Sequence, residues 1–279
     1  LDKLVVKAAS ATLTAGTDYT AAFDDNGYVN IVVIPGGAGK SATSLTVSGV
    51  QIDPSAVTPA DIVGAVSAAG VESGMECIRM IFPKLNMVPG ILIAPGWSEN
   101  AIVSAGLQAK TTRINGVFNC VCIVDIDSST NGATKYDDVK QQKEKQAVTS
   151  ANCYAVWLYA KVGDVLFAGS AMAAAVTVAT DADNGDIPNV SPSNKTVPIS
   201  AACLKDGTEV LLDQEQANVV NSFGVATWLN INGFRLWGNN TACYPGNTDP
   251  KDRWFSVRRF FCWDDNTFIQ TYFQKVDSP

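Results

Sequence analysis

The sequence predicts an α/β fold in two parts, a small β-sandwich-like domain over residues 1–75 and a larger α/β domain over residues 76–279. Three observations predict it. Short apolar runs separated by turn residues fill the first quarter of the chain. Strand-like and helix-like patterns alternate after that. Phe118 to Asp125 is apolar almost throughout, as in a parallel strand covered on both faces. At 279 residues, 47% of them apolar, the chain can bury a sizeable core without disulfides or metals.

In the first part, Leu4 to Val6, the alternation around Tyr19 to Ala21, Tyr28 to Ile34 and Leu45 to Val47 read as strands. Asp24-Asp25-Asn26-Gly27 and Pro35-Gly36-Gly37 supply turn chemistry between them. Asp53-Pro54 and Thr58-Pro59 mark a boundary, and Pro59 suits the first turn of a short helix.

In the second part, Met87 to Ala94 is predicted as a strand. A helix capped by Ser98 runs through Ile114, with Val103, Leu107 and Ile114 on one face. After the apolar strand comes a polar helix near Asp137 to Val148, with acids early and lysines late to match its dipole. Cys153 to Ala160 is a strand, Val165 to Asp183 a small-residue helix ending at Gly185, and Val197 to Ala201 and Ala226 to Ile231 are further strands. Asp249-Pro250 provides a cap and a first-position proline for a final helix, whose buried stripe would be Trp254, Val257, Phe261, Phe268 and Tyr272.

Charge and composition exclude several function classes. The net charge is -7, a poor basis for binding nucleic acid or an anionic membrane. No apolar run reaches the ~18 residues of a spanning helix. The sequence contains no histidine, which removes His-based acid–base chemistry, His metal ligands and every Ser-His-Asp or Cys-His arrangement. Seven scattered cysteines form no Cys-x-x-Cys pair and are expected as free, buried thiols in a reducing cytoplasm, with no zinc site. The chain starts Leu1-Asp2-Lys3-Leu4, without an initiator Met or signal peptide, and reads as the cut end of a longer protein.

Several motifs invite chemistry. Gly36-Gly37-Ala38-Gly39-Lys40-Ser41 lacks the first glycine of a phosphate loop, Ile34 standing there, and reads as a glycine-rich turn. Asp125 and Asp127 could pair on a divalent cation, but solvated loop acids are the favoured reading. Lys135 to Lys145 reads as a solvated helix face, and Asn194-Lys195-Thr196 and Asn239-Asn240-Thr241 as chance matches to the glycosylation pattern. Gly169-Ser170-Ala171-Met172-Ala173 resembles the Gly-Thr-Ser-Met-Ala block that opens the nucleophile helix of subtilisin-like proteases, with Asp125 in the place of the catalytic acid. Ala171 stands at the nucleophile position, so the block implies a related scaffold with a dead site.

Two segments resemble phage contractile tail sheath proteins. The first is Phe82-Pro83 with Val88-Pro89-Gly90-Ile91-Leu92-Ile93-Ala94-Pro95-Gly96-Trp97. The second holds Pro188 to Lys195, Leu236-Trp237-Gly238-Asn239-Asn240-Thr241-Ala242-Cys243-Tyr244-Pro245, and Asp249 through Arg259 to Phe273. The resemblance implies that residues 76–279 are a subtilisin-like domain without protease activity, preceded by the family's β module. It implies a structural subunit of a phage tail, prophage or tail-derived bacteriocin, located in the virion and assembled in the bacterial cytoplasm. Its partners would be other sheath subunits in hexameric rings stacked helically, the tail tube protein and the baseplate, with no nucleic acid, membrane, metal or cofactor. The alternative is a hydrolase on the same scaffold. No catalytic residue is assigned. Asp249, Lys251, Asp252, Arg253, Arg258 and Arg259 are candidate subunit-interface residues, the arginines pairing with acids inside the chain or across a boundary. The family's arms and C-terminal domain are not found, and the chain alone is expected to be monomeric.

Overall fold

The computed structural model describes residues 1, 3–24, 27–50, 54–273 and 275–276. Asp2 of the chain start, Asp25 and Asn26 of the expected Asp24 to Gly27 turn, and Asp53 of the expected boundary lie outside the described residues. The chain divides into two compact units, Leu1–Val57 and Thr58–Pro279.

The named strands of the first unit pair antiparallel, and a short 3-10 segment (Pro54–Ala56) ends it. Strands β1 (Val5–Ala8), β2 (Ala11–Thr12), β3 (Tyr19–Phe23), β4 (Val29–Val33) and β5 (Leu45–Ser48) form a β2-β1-β5 sheet and a β3-β4 hairpin. Val6, Leu13 and Tyr19 are its buried centre, with Ala21, Ile31 and Leu45 against them. Asp18 supplements this small core by accepting the amides of Thr14 and Ala38, each at 2.8 Å. The glycine-rich Pro35–Ser41 stretch is a run of turns. Gly37 there passes so close to the Asp18 backbone that a Cβ would sit 2.6 Å from its Cα.

The second unit starts at a capping box in which Thr58 and Asp61 bond each other's amides. Helix α1 (Pro59–Val63) is followed by a 3-10 segment (Gly74–Met80) and α2 (Ile81–Leu85). Then come β6 (Ile91–Ile93), α3 (Ala101–Ala109), β7 (Val121–Ile126), α4 (Val139–Lys145), β8 (Cys153–Trp157), β9 (Tyr159–Val162) and β10 (Val165–Phe167). The chain continues through α5 (Gly169–Asp183), β11 (Ala201–Cys203), α6 (Gln214–Ser222), β12 (Val225–Asn230), β13 (Phe234–Trp237), α7 (Pro250–Arg253) and α8 (Phe255–Phe273). The main sheet has the order β13-β12-β8-β7-β6, parallel except for antiparallel β13, and β10-β9-β11 is a small antiparallel sheet. The fold is mixed α/β. Every residue of β7 and β8 is buried, as a strand covered on both faces requires. The largest core rings satisfy their polar tips on carbonyls: Tyr154 donates to Gly238, Trp157 to Ala133 and Trp228 to Leu158.

Several elements differ from the sequence reading, each for a local reason. Residues 58–75 pack with the second unit, because Val63 and Met75 close over Gly106 of α3. The Ser98 hydroxyl is used elsewhere, so Asn100 caps α3 by accepting the Ile102 amide at 2.9 Å. That helix stops at Ala109, short of Ile114, before Arg113 and Asn115 take positive φ. Val165 does not begin a helix, because Gly163-Asp164 forms a two-residue hairpin that pairs β10 with β9. The strand expected at Val197 to Ala201 forms at Ala201–Cys203. Helix α6, with its Asp213–Gln216 capping box, and edge strand β13 were not foreseen.

The final helix is broken at Trp254, which takes extended backbone and bridges to Asn240. Its buried face is Phe255, Arg259, Cys262 and Asn266, at spacings of four, three and four, not the aromatic stripe. Phe268 and Tyr272 are 72% and 59% exposed. Asn266 holds the Asn119 backbone from both sides, accepting its amide at 3.0 Å and donating to its carbonyl at 2.6 Å. All seven cysteines are free; five are buried, Cys243 is half-buried and Cys77 is exposed. Cys122 faces Cys153 in register across β7 and β8. No helix among the described residues is long and apolar enough to cross a membrane.

Candidate functional site

Two clusters hold the residues that the sequence singled out. The first lies at the carboxyl end of β7, where Asp125 is buried. Its carboxylate accepts the Ser98 hydroxyl at 2.7 Å, the Ser170 hydroxyl at 2.6 Å and the Ser170 amide at 2.6 Å. Ser98 arrives in the loop after β6, and Ser170 opens α5, whose positive end favours an acid there. Gly169 makes the approach possible, since a Cβ would meet Leu158 O at 2.5 Å and Asp125 Oδ1 at 3.4 Å. Burial raises the Asp125 carboxyl above the usual carboxylate range, and the bonds from Ser170 and Ser98 oppose the shift. Glu99, next to Ser98, is likewise raised by burial against its ion pair with Lys205.

Asp125 is therefore no solvated loop acid. Asp127 is half-buried and turns instead to Ser129, accepting its amide at 2.9 Å and its hydroxyl at 3.1 Å. The described residues contain no group of three or more acids and cysteines placed to hold a metal ion. Ala171 lies half-buried in the first turn of α5, where it brings no functional group.

The second cluster is the corner between α7 and α8, and it brings together all six interface candidates. Asp249 caps α7 by accepting the Lys251 amide at 3.0 Å, and the Lys251 ammonium stands 3.7 Å from its carboxylate, largely in solvent. Asp252 accepts Asn247 at 2.9 Å and pairs with Arg258 at 3.4 Å. Arg253 lies 4.2 Å from the Tyr244 and Trp254 rings and donates to Asn240 at 3.0 Å. Arg258 also donates to Asn152. Arg259 is buried and forks onto both carboxylate oxygens of Asp181 near the end of α5, with Phe255 under its guanidinium. The Trp-Gly-Asn-Asn-Thr block is the other half of this lock. Asn239 bonds the amide and hydroxyl of Ser256, and Thr241 donates to the Asp252 carbonyl at 2.6 Å.

Arg259 is thus committed to an intramolecular partner, and Arg253 and Arg258 are held half-buried by internal contacts. Asp249 and Lys251 are the two candidates that present their side chains mainly to solvent. Lys143 of α4 was missed. The sequence pattern puts it on a solvated face, but it is buried, donating to the carbonyls of Phe223 at 2.6 Å and Tyr244 at 2.9 Å. Its signal was positional: Val139, Gln142, Lys143 and Gln146 fall on one helical face, but three of them are polar and hydrophobic periodicity cannot see them.

No family model matches the chain. Among curated proteins it is 28% identical over 262 residues to a tail sheath protein of Burkholderia phage BcepMu, covering 89% of this chain and 52% of that protein. It is 29% identical over 186 residues to a prophage major tail sheath protein of Pseudomonas aeruginosa, covering 64% and 45%. The chain spans about half the length of the curated relatives it matches. Among solved structures it resembles an extracellular contractile injection system sheath in the contracted state, at TM-score 0.55, 18% identity, and 74% and 53% coverage. It also resembles the contracted helical sheath of the anti-feeding prophage, at TM-score 0.54, 19% identity, and 74% and 52% coverage. The structural likenesses establish the fold. The sequence matches make the chain similar to phage and prophage tail sheath proteins, as its two motif segments indicated.

Proposed function

We propose that this chain is the body of a contractile tail sheath subunit. The observation that carries the reading is its homology with tail sheath proteins along most of its length. Subunits would assemble as hexameric rings stacked helically around a tail tube, anchored on a baseplate. Contraction would drive the tube through the host envelope and, in a phage, allow genome ejection. The work would come from rigid-body rearrangement between two packing states. The dense internal bonding of the α7–α8 corner supports this, because a subunit must keep its shape while its contacts change. Asp249 and Lys251 are the side chains there best placed to meet a neighbour. The particle would assemble in the bacterial cytoplasm and the subunit would reside in the virion tail.

The larger unit would be a subtilisin-like scaffold with an inactive site. Ala171, the lack of any histidine and the engagement of Asp125 by two serines support a purely structural role. A fluorophosphonate probe should leave the protein unlabelled, and stoichiometric labelling at Ser170 would restore the hydrolase alternative. The two-domain organisation is expected to appear in limited proteolysis as cuts between residues 50 and 90. The function itself is tested by co-expressing the complete protein with its tube protein and imaging by negative stain. Helical sheaths around tubes are the expected result. Monomers that ignore the tube would overturn the proposal.

A further inference from the structure

The second unit contains a cavity of about 630 Å³ that the proposed function does not use. Val148, Ala151, Phe223, Ala242 and Pro245 form the apolar part of its lining, Lys140 and Glu144 stand at its polar side, and Lys143 is set into its wall. The amine is held in a built position. Its two hydrogen bonds run to the carbonyls of Phe223 and Tyr244, from two segments that follow α6 and β13. Their convergence requires Gly224, whose φ is +71°. A Cβ there would come 2.3 Å from Tyr244 O and 3.0 Å from Lys143 Nζ.

A neutral primary amine has two N–H bonds and one lone pair. Two carbonyl acceptors take both N–H bonds and leave the lone pair as the remaining valence. The ammonium form carries a third N–H, which these two carbonyls do not satisfy. Burial pushes the ammonium down to about 8, against the opposing influence of Cys153, Cys243 and Glu144 around it. A largely apolar wall, an amine fixed by two carbonyls and an ammonium lowered by burial are what a Schiff-base lysine needs.

We propose that Lys143 is a carbonyl-reactive site that takes small apolar aldehydes. The Nζ lone pair forms a C–N bond to the aldehyde carbon while the carbonyl π pair moves to oxygen. A proton passes from nitrogen to that oxygen, giving a carbinolamine. Loss of water then leaves the C=N bond of the imine.

The test is reductive alkylation of the folded protein with pentanal and cyanoborohydride at pH 7.5, read by peptide mapping. Lys143 should be alkylated about tenfold faster than Lys145, an exposed lysine of the same helix outside the cavity, and than Lys140 at the cavity's polar side, because far more of it is free base. Its rate should level off above pH 8 while theirs keep rising. Thr149→Trp, at the exposed rim of the cavity, should slow Lys143 and leave Lys145 unchanged. Alkylation of Lys143 no faster than its neighbours would overturn the proposal. So would a Lys143 rate indifferent to Thr149→Trp, since the reaction would then proceed through opening of the fold.

Discussion

The two ends of α5 each meet a buried charged group, and they neutralise it by opposite means. At the amino end, Asp125 receives only neutral donors, the hydroxyls of Ser98 and Ser170 and the Ser170 amide. At the carboxyl end, Asp181 would face the negative pole of the helix, and Arg259 supplies a full counter-charge through a two-point fork. The difference follows from proton chemistry. A carboxyl with no cation bonded to it can shift toward the protonated form, the direction in which burial moves Asp125. A guanidinium cannot lose one, so a buried arginine needs an acid beside it.

The largest expected effect is at the charged end. Arg259→Ala should cost about 3–5 kcal/mol in urea unfolding, because it strands Asp181 against the helix terminus. A loss under ~1 kcal/mol would mean that the fork is no better than a surface pair. The Asp125 end should show itself through pH. A raised folded-state pKa means that the group's stabilisation is complete below the unfolded value and is lost as pH rises through the folded value. Glu99 shifts in the same direction. Unfolding midpoints should therefore fall as pH increases from about 4 through the raised pKa values, and Asp125→Asn should flatten that fall. An unchanged slope would show that the two serines fully offset burial. The smallest effect is the control at the corner. Lys251→Ala, removing an exposed pair at 3.7 Å, should change stability by less than ~0.5 kcal/mol.

The same contrast explains what the sequence could and could not disclose. The buried strands β7 and β8 were legible because continuous apolar runs have one structural meaning at that length. Asp249-Pro250 correctly announced α7, and the Gly169 block correctly drew attention to Asp125 and α5. Polar residues that face inward leave no periodic trace, so the burial of Lys143 and the pairing of Arg259 with Asp181 are visible only through their partners. The aromatic stripe of the last helix failed because Phe268 and Tyr272 have the right spacing but point to solvent. Helix α6 was overlooked although its Asp213–Gln216 capping box is written in the sequence. The Gly163-Asp164 hairpin is hidden in the sequence because Val165 to Phe167 abuts the small-residue helix and reads as its start.

The grip of Asn266 on Asn119 has a consequence during synthesis. The two residues are 147 positions apart, and the Asn119 amide has its partner only once the last helix exists. At roughly 5–20 residues per second a ribosome takes roughly 7–30 s to cover that stretch. For all of that time the Asn119 amide, at the entry to β7, lacks its final partner. Nascent chains arrested before Asn266 should therefore be the ones that recruit chaperones at this edge.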